Sequence, residues 1–78
     1  MGTNRDIINV FASNLRRLRL ARGFTYAALS TRCGIDRSEL CKMESGKINI
    51  GLCSLAAIAK GLEVTVEALL MSSENISL

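Results

Sequence analysis

The stretch Tyr26–Ser45, YAALSTRCGIDRSELCKMES, decides how the rest of the chain is read. Apolar residues fall at Leu29, Cys33, Ile35, Leu40 and Met43, a spacing that puts Leu29 and Cys33 on one helical face and Leu40 and Met43 on another. Gly34 stands between the two groups, where a chain leaving one helix and turning sharply needs a positive φ. The pattern predicts a helix over Tyr26 to Cys33, a turn at Gly34 and Ile35, and a second helix over Arg37 to Glu44. Ser30 is small enough for the second helix to cross close by. Two short helices at a steep angle around a Gly-containing turn form a helix-turn-helix. Its second helix then carries Arg37, Ser38, Cys41 and Lys42 outward, a polar and basic surface suited to the major groove of double-stranded DNA. The competing reading of the same pattern is a plain helical hairpin within a bundle.

Length and composition limit what can surround this unit. Seventy-eight residues predict one domain over 1–78, near the lower size at which a single core is stable. Trp and Pro are absent and aromatic residues few, so the core must be Leu, Ile, Val and Ala, as in an all-α bundle. The net charge is +3, distributed unevenly. Arg16 to Lys47 holds eight basic and three acidic residues, a local balance of +5, whereas 48–78 has only Lys60 against Glu63, Glu67 and Glu74. The basic half coincides with the helix-turn-helix, the electrostatic footprint of a nucleic-acid-binding module.

Other chemistries find little support. Cys33, Cys41 and Cys53 are odd in number and lack C-x-x-C spacing, and without His a metal site lacks its usual ligands. Cys33 and Cys53 read as small buried hydrophobes. No cysteine has an imidazole partner and no Gly-rich phosphate loop follows a strand, so no enzyme, cofactor or small-molecule ligand is expected. Three free thiols, no signal-peptide pattern and no apolar run near the length of a membrane span predict a soluble cytoplasmic protein without membrane contact.

Outside the central unit, Met1 and Gly2 are expected to fray. Thr3 or Asn4 can cap a first helix reaching about Arg22, with Ile8, Phe11, Leu15 and Leu18 as its apolar stripe and Gly23 as its stop. Arg16, Arg17, Arg19 and Arg22 crowd its last turns, where they complement the helix dipole. Three later helices share one entry device, a hydrophobe, a capping residue and a Leu four residues on: Phe24–Thr25–Leu29, Ile35–Asp36–Leu40 and Val64–Thr65–Leu69. This is the hydrophobic staple with its N-cap. Asp36 with Glu39 also has the spacing of a capping box. Ser45 to Gly51 is a loop in which Lys47 and Asn49 suit phosphate contacts. Leu52 to Leu62 is a fourth helix, with Leu55, Ile58, Ala59 and Leu62 inward, and Thr65 to Met71 a short fifth. Its apolar residues face several directions, so Val66, Leu69 and Leu70, with Ile50 and Leu52, are expected to form a two-fold homodimer interface. In the tail, Ile76 and Leu78 could pack on a partner.

The runs NLRRLRLARGFTYAALSTRCGIDRSELCKMESGK and SLAAIAKGLEVTVEALL resemble the repressor-like helix-turn-helix family that includes phage repressors and Cro proteins. Within it, GIDR, the E-x-G-K-x-N segment and IAKGLEV look most like the controller proteins of restriction–modification systems, over about residues 11–71. The resemblance implies five helices and a dimeric transcription regulator, without a ligand domain, that acts on operator repeats. It places Arg37, Ser38 and Lys42 at the family's base-reading positions and makes Arg19 and Glu44 a structural ion pair. Tyr26 stands where a Gln is common, and Cys41 where a small polar residue is usual. Thr25, Tyr26, Lys47 and Asn49 are then the expected phosphate contacts. A phage-type repressor, and an antitoxin-like module that masks a protein partner, are alternatives on the same fold.

Overall fold

The entry device decides where each short helix begins. In the computed structural model, which describes residues 4–71, the helices are α1 (Asn4–Ala21), α2 (Tyr26–Cys33), α3 (Arg37–Glu44), α4 (Leu52–Leu62) and α5 (Val66–Leu70). Thr25 Oγ1 accepts from the Ala28 N–H at 3.0 Å, and Thr65 Oγ1 from the Ala68 N–H at 3.1 Å. Asp36 accepts from the Ser38 N–H at 3.0 Å and also from the Ser38 hydroxyl. The three stapling hydrophobes, Phe24, Ile35 and Val64, pack on the core that holds Leu29, Leu40 and Leu69. The expected reciprocal bond of a capping box, from Glu39 back to the Asp36 N–H, is not formed among the described residues.

Phe11, Leu15, Leu29, Leu40, Met43, Leu55, Ile58, Leu62 and Leu69 make up most of one core. Gly34 ends α2 with φ 77°, in the left-handed region, and its N–H reaches Ser30 O at 2.8 Å. Gly61 lets α4 lie close on α2: a Cβ there would stand 3.2 Å from Cys33 Cβ.

Two polar residues are buried within α1, Asn14 and Arg19. Asn14 Nδ2 donates to Leu69 O at 2.9 Å and to Met71 O at 2.8 Å, and its Oδ1 accepts from Arg17 Nη2 at 3.2 Å. Those carbonyls end a five-residue helix too short to be stable on its own. Asn14 therefore fastens α5 to α1.

Several expectations need correction. Leu69, assigned above to a dimer interface, is 0% exposed and belongs to this chain's own core. Its place four residues after the Thr65 cap aims it at Val64 and inward. Cys53 is exposed, because it lies off the stripe of Leu55, Ile58, Ala59 and Leu62. Arg22, expected above at the α1 dipole, is engaged with another helix, and so is Arg32. They converge on the end of α4, where Glu63 takes φ 60°: Arg22 Nη2 donates to Glu63 O at 3.1 Å and Arg32 Nε to Gly61 O at 2.6 Å. Their charges also pair with the Glu63 carboxylate. The expectations for Met1, Gly2, Thr3, Ile76 and Leu78 lie outside the described residues. No helix among the described residues is long and apolar enough to cross a membrane.

Asn14→Ala removes the two donors that close α5 and leaves both carbonyls short of partners. We expect a loss of about 2–3 kcal/mol in urea unfolding. Arg17→Met, which removes only the outer bond to Asn14, should cost under about 1 kcal/mol. Equal midpoints for the two variants would contradict this role of Asn14.

Candidate nucleic-acid interface

The Ile35–Leu40 staple and the burial of Leu40 and Met43 turn one side of α3 into the core. Arg37, Ser38, Cys41 and Lys42 are thereby left exposed on the other. Arg37 is the first helical residue after the Asp36 cap and stands exposed at the N-terminal end of α3. The Ser38 hydroxyl hydrogen is given to Asp36, and this bond, more than Ser38's backbone N–H or the Arg37 charge, holds the Asp36 carboxyl below its usual range. Ser38 keeps only lone pairs to offer outward.

Thr25, Tyr26, Ala27, Arg37, Ser38 and Cys41 line a hollow of about 410 Å³ between the start of α2 and α3. Lys47 and Asn49 line a second recess of about 680 Å³ with Ile8, Asn9, Ser45, Gly46 and Ile48. The structure thus gathers four expected contact residues, Thr25, Tyr26, Arg37 and Ser38, at one hollow, and Lys47 and Asn49 at another; Lys42 lines neither. Thr25 spends a lone pair on its cap and retains its hydroxyl hydrogen for an outside acceptor. Asn49 Oδ1 accepts from the Ile50 N–H at 2.8 Å, which leaves its amide hydrogens facing out.

Tyr26, expected above at a phosphate, has its hydroxyl engaged within the protein. Its hydroxyl donates to Glu44 Oε1 at 2.8 Å, and its ring lies under the Arg19 guanidinium, 4.2 Å from ring centroid to Cζ. The proton that a phosphate would need is already used within the protein. Glu44 is the centre of this cluster, its side chain 3% exposed. Arg19 grips it with two bonds, Nε to Oε2 at 2.7 Å and Nη2 to Oε1 at 3.0 Å, and its Nη1 holds Phe24 O at 2.7 Å. Arg16, whose side chain is largely exposed, approaches Glu44 Oε1 at 3.6 Å. Burial pushes the Glu44 carboxyl up, but the Arg19 and Tyr26 hydrogen bonds with the charges of Arg19 and Arg16 outweigh it and hold the group below its ordinary value. The hydrogen bond to Glu44 likewise raises the Tyr26 phenol. Sequence reading accounted for Arg16 only as a dipole partner of α1. Its place beside Glu44 had no local signal.

Among the described residues, Arg37, Lys42 and Lys47 form no salt bridge, in contrast with Arg19, Arg22 and Arg32. No group of His, Cys, Asp or Glu among them could hold a metal ion.

Comparison with known proteins agrees with this geometry. The model of a helix-turn-helix domain family matches residues 10–70. A hypothetical transcription factor of Neisseria meningitidis serogroup B is 31% identical over 70 residues, which cover 90% of this chain and 66% of that protein. The crystal structure of a hypothetical transcription factor from Neisseria superposes with a TM-score of 0.87 at 27% identity, over 99% of this chain and 88% of the other. That of the restriction–modification controller protein C.AhdI from Aeromonas hydrophila gives 0.77 at 31% identity, over 80% and 94%.

The Glu44 cluster generates a test. Glu44→Gln leaves Arg19 nearly buried without its counter-charge and should cost about 3–5 kcal/mol at neutral pH. Tyr26→Phe keeps the ring under Arg19 and loses one charge-assisted bond, about 1.5–3 kcal/mol. Because the folded Glu44 pKa lies below the unfolded one, its stabilisation is complete above the ordinary carboxylate range. It is lost as pH falls through the depressed folded value. The gap between the parent and Glu44→Gln in urea midpoint should therefore narrow on acidification, and a gap independent of pH would contradict the assignment.

Proposed function

This chain belongs to the helix-turn-helix domain family of DNA-binding transcription regulators, and we propose that residues 1–78 act as a single such domain that binds operator DNA as a homodimer, in the manner of a restriction–modification controller protein. The observation that carries this reading is the exposed face of α3, on which Arg37, first after the Asp36 cap, and Lys42 form no salt bridge among the described residues. Likeness to C.AhdI in both sequence and backbone supports the controller reading over a phage-type repressor.

The residues divide by what each still has to offer. Arg37 presents a planar fork that matches guanine O6 and N7. Ser38, with its hydrogen engaged, accepts, which suits the amino group of adenine or cytosine. Lys42 reaches a base edge or the backbone. Thr25, Lys47 and Asn49 donate to phosphates and set the register. Tyr26 holds Glu44 in place of a phosphate.

For the two-fold interface, Leu52 is the strongest candidate at 83% exposed, joined by Val66 and, half-exposed, Met71. Ile50 and Leu70 are half-buried against the core and contribute their outer edges. Pairing through these residues would set two α3 helices roughly 34 Å apart, one turn of DNA.

Two measurements test this reading. Arg37→Ala should lose about 1–3 kcal/mol on the operator and flatten preference at one base pair per half-site. Lys47→Ala should weaken all DNA alike and reduce the salt slope by about one, whereas Tyr26→Phe should leave that slope unchanged. Uniform loss with full base preference in Arg37→Ala would remove it from the base readers. Separately, Leu52→Asp should shift sedimentation at tens of micromolar, on the order of the concentrations at which small dimers form, from dimer to monomer. A parent protein that sediments only as monomer would overturn the dimer.

A further inference from the structure

We propose that the hollow between α2 and α3 receives the C5-methyl group of a pyrimidine in the major groove, read by Cys41 and Ala27. The inference rests on the DNA-binding reading above and deepens it. Six residues line this hollow, and the lining is mostly apolar although four of them are polar or charged. The reason lies in where their polar atoms point. The Thr25 hydroxyl oxygen serves the Ala28 N–H, the Ser38 hydroxyl serves Asp36, and the Tyr26 hydroxyl serves Glu44. What remains between them is the Ala27 methyl and the Cys41 thiol, a small soft group with a weak donor.

The apolar part of this wall matches an apolar group, while Thr25 and Ser38 keep their free hydrogen and lone pairs for the phosphate and base contacts proposed above. Its one charged member, Arg37, is the candidate guanine reader at the rim. The major groove displays one apolar group, the methyl of thymine, which 5-methylcytosine shares. Cys41 follows Arg37 by four residues, so the two stand on the same face of α3 about one helical turn apart. That offset places the methyl on a base step neighbouring the guanine that Arg37 contacts. At about 410 Å³ the hollow admits the edge of the pyrimidine together with its methyl.

The test uses the intact chain and a tight-binding duplex that it selects from a random pool. Each thymine is replaced singly by deoxyuridine, and each cytosine singly by 5-methylcytosine. One thymine per half-site should weaken binding about fourfold when its methyl is removed, the value of one buried methyl. It should neighbour the base pair whose preference Arg37→Ala flattens. A gain of similar size on 5-methylcytosine, with no thymine effect, would identify that base as the methyl's source and support the same hollow. Cys41→Ser, a substitution at an exposed site that should leave the melting temperature unchanged, should bind the methylated and unmethylated duplexes within about twofold of each other. If neither replacement changes affinity by more than about twofold, or if Cys41→Ser keeps the full sensitivity, the proposal is overturned. If no duplex is selected at all, the DNA-binding reading falls and this inference with it; a duplex bound with a steep salt slope but indifferent to methyls removes this inference alone.

Discussion

A carboxylate almost removed from water at the end of α3 constrains everything around it. Glu44 must be matched by charge and by hydrogen bonds, or its burial would destabilise the fold by several kcal/mol, on the order of 3–5. Arg19 from α1 supplies two of those bonds and Tyr26, at the start of α2, a third. Arg19 also holds the carbonyl of Phe24, the hydrophobe that staples α2. One ionic cluster therefore joins the three helices that present the outer face of α3. The opposite end of α3 is held by apolar means, through Ile35 and Leu40. These contacts at its two ends fix the orientation of α3 relative to α1 and α2.

The same cluster explains why net charge is a coarse guide to this molecule. Of the basic residues between Arg16 and Lys47, Arg19 neutralises Glu44, and Arg22 and Arg32 share Glu63 while closing the end of α4. The positive charge left over lies on Arg16, Arg17, Arg37, Lys42 and Lys47. Polar side chains divide in the same way. Thr25 keeps its hydrogen, Ser38 keeps only lone pairs, and Tyr26 has given its hydrogen to Glu44. Each group's bond inside the protein determines what it can still offer outside.

Much of the architecture was legible along the chain because it is specified over a few residues. The staples and caps at Thr25, Asp36 and Thr65, the left-handed turn at Gly34 and the inward stripe of α4 are local devices. α2, α3 and α5 begin after those caps, and α2 ends at Gly34. The outward position of Arg37, Ser38, Cys41 and Lys42 follows from the same periodicity, and the pairing of Arg19 with Glu44, implied by family resemblance, is present in the structure.

Tertiary structure alone decided the choices in which a residue had several equally good local options. Leu69 satisfied both a staple and an interface, and burial against α1 resolved it to the core. Tyr26 could have turned its hydroxyl to solvent, and Glu44, eighteen positions later, captured it. The amide of Asn14, in the middle of α1, meets the last carbonyls of α5. Arg22 and Arg32 could have complemented their own helix ends, but their long side chains reach Glu63 instead. In each case the deciding partner lies far away in sequence. Periodicity and capping specify which face of a helix turns inward, whereas which charged or polar group meets which depends on how the helices cross.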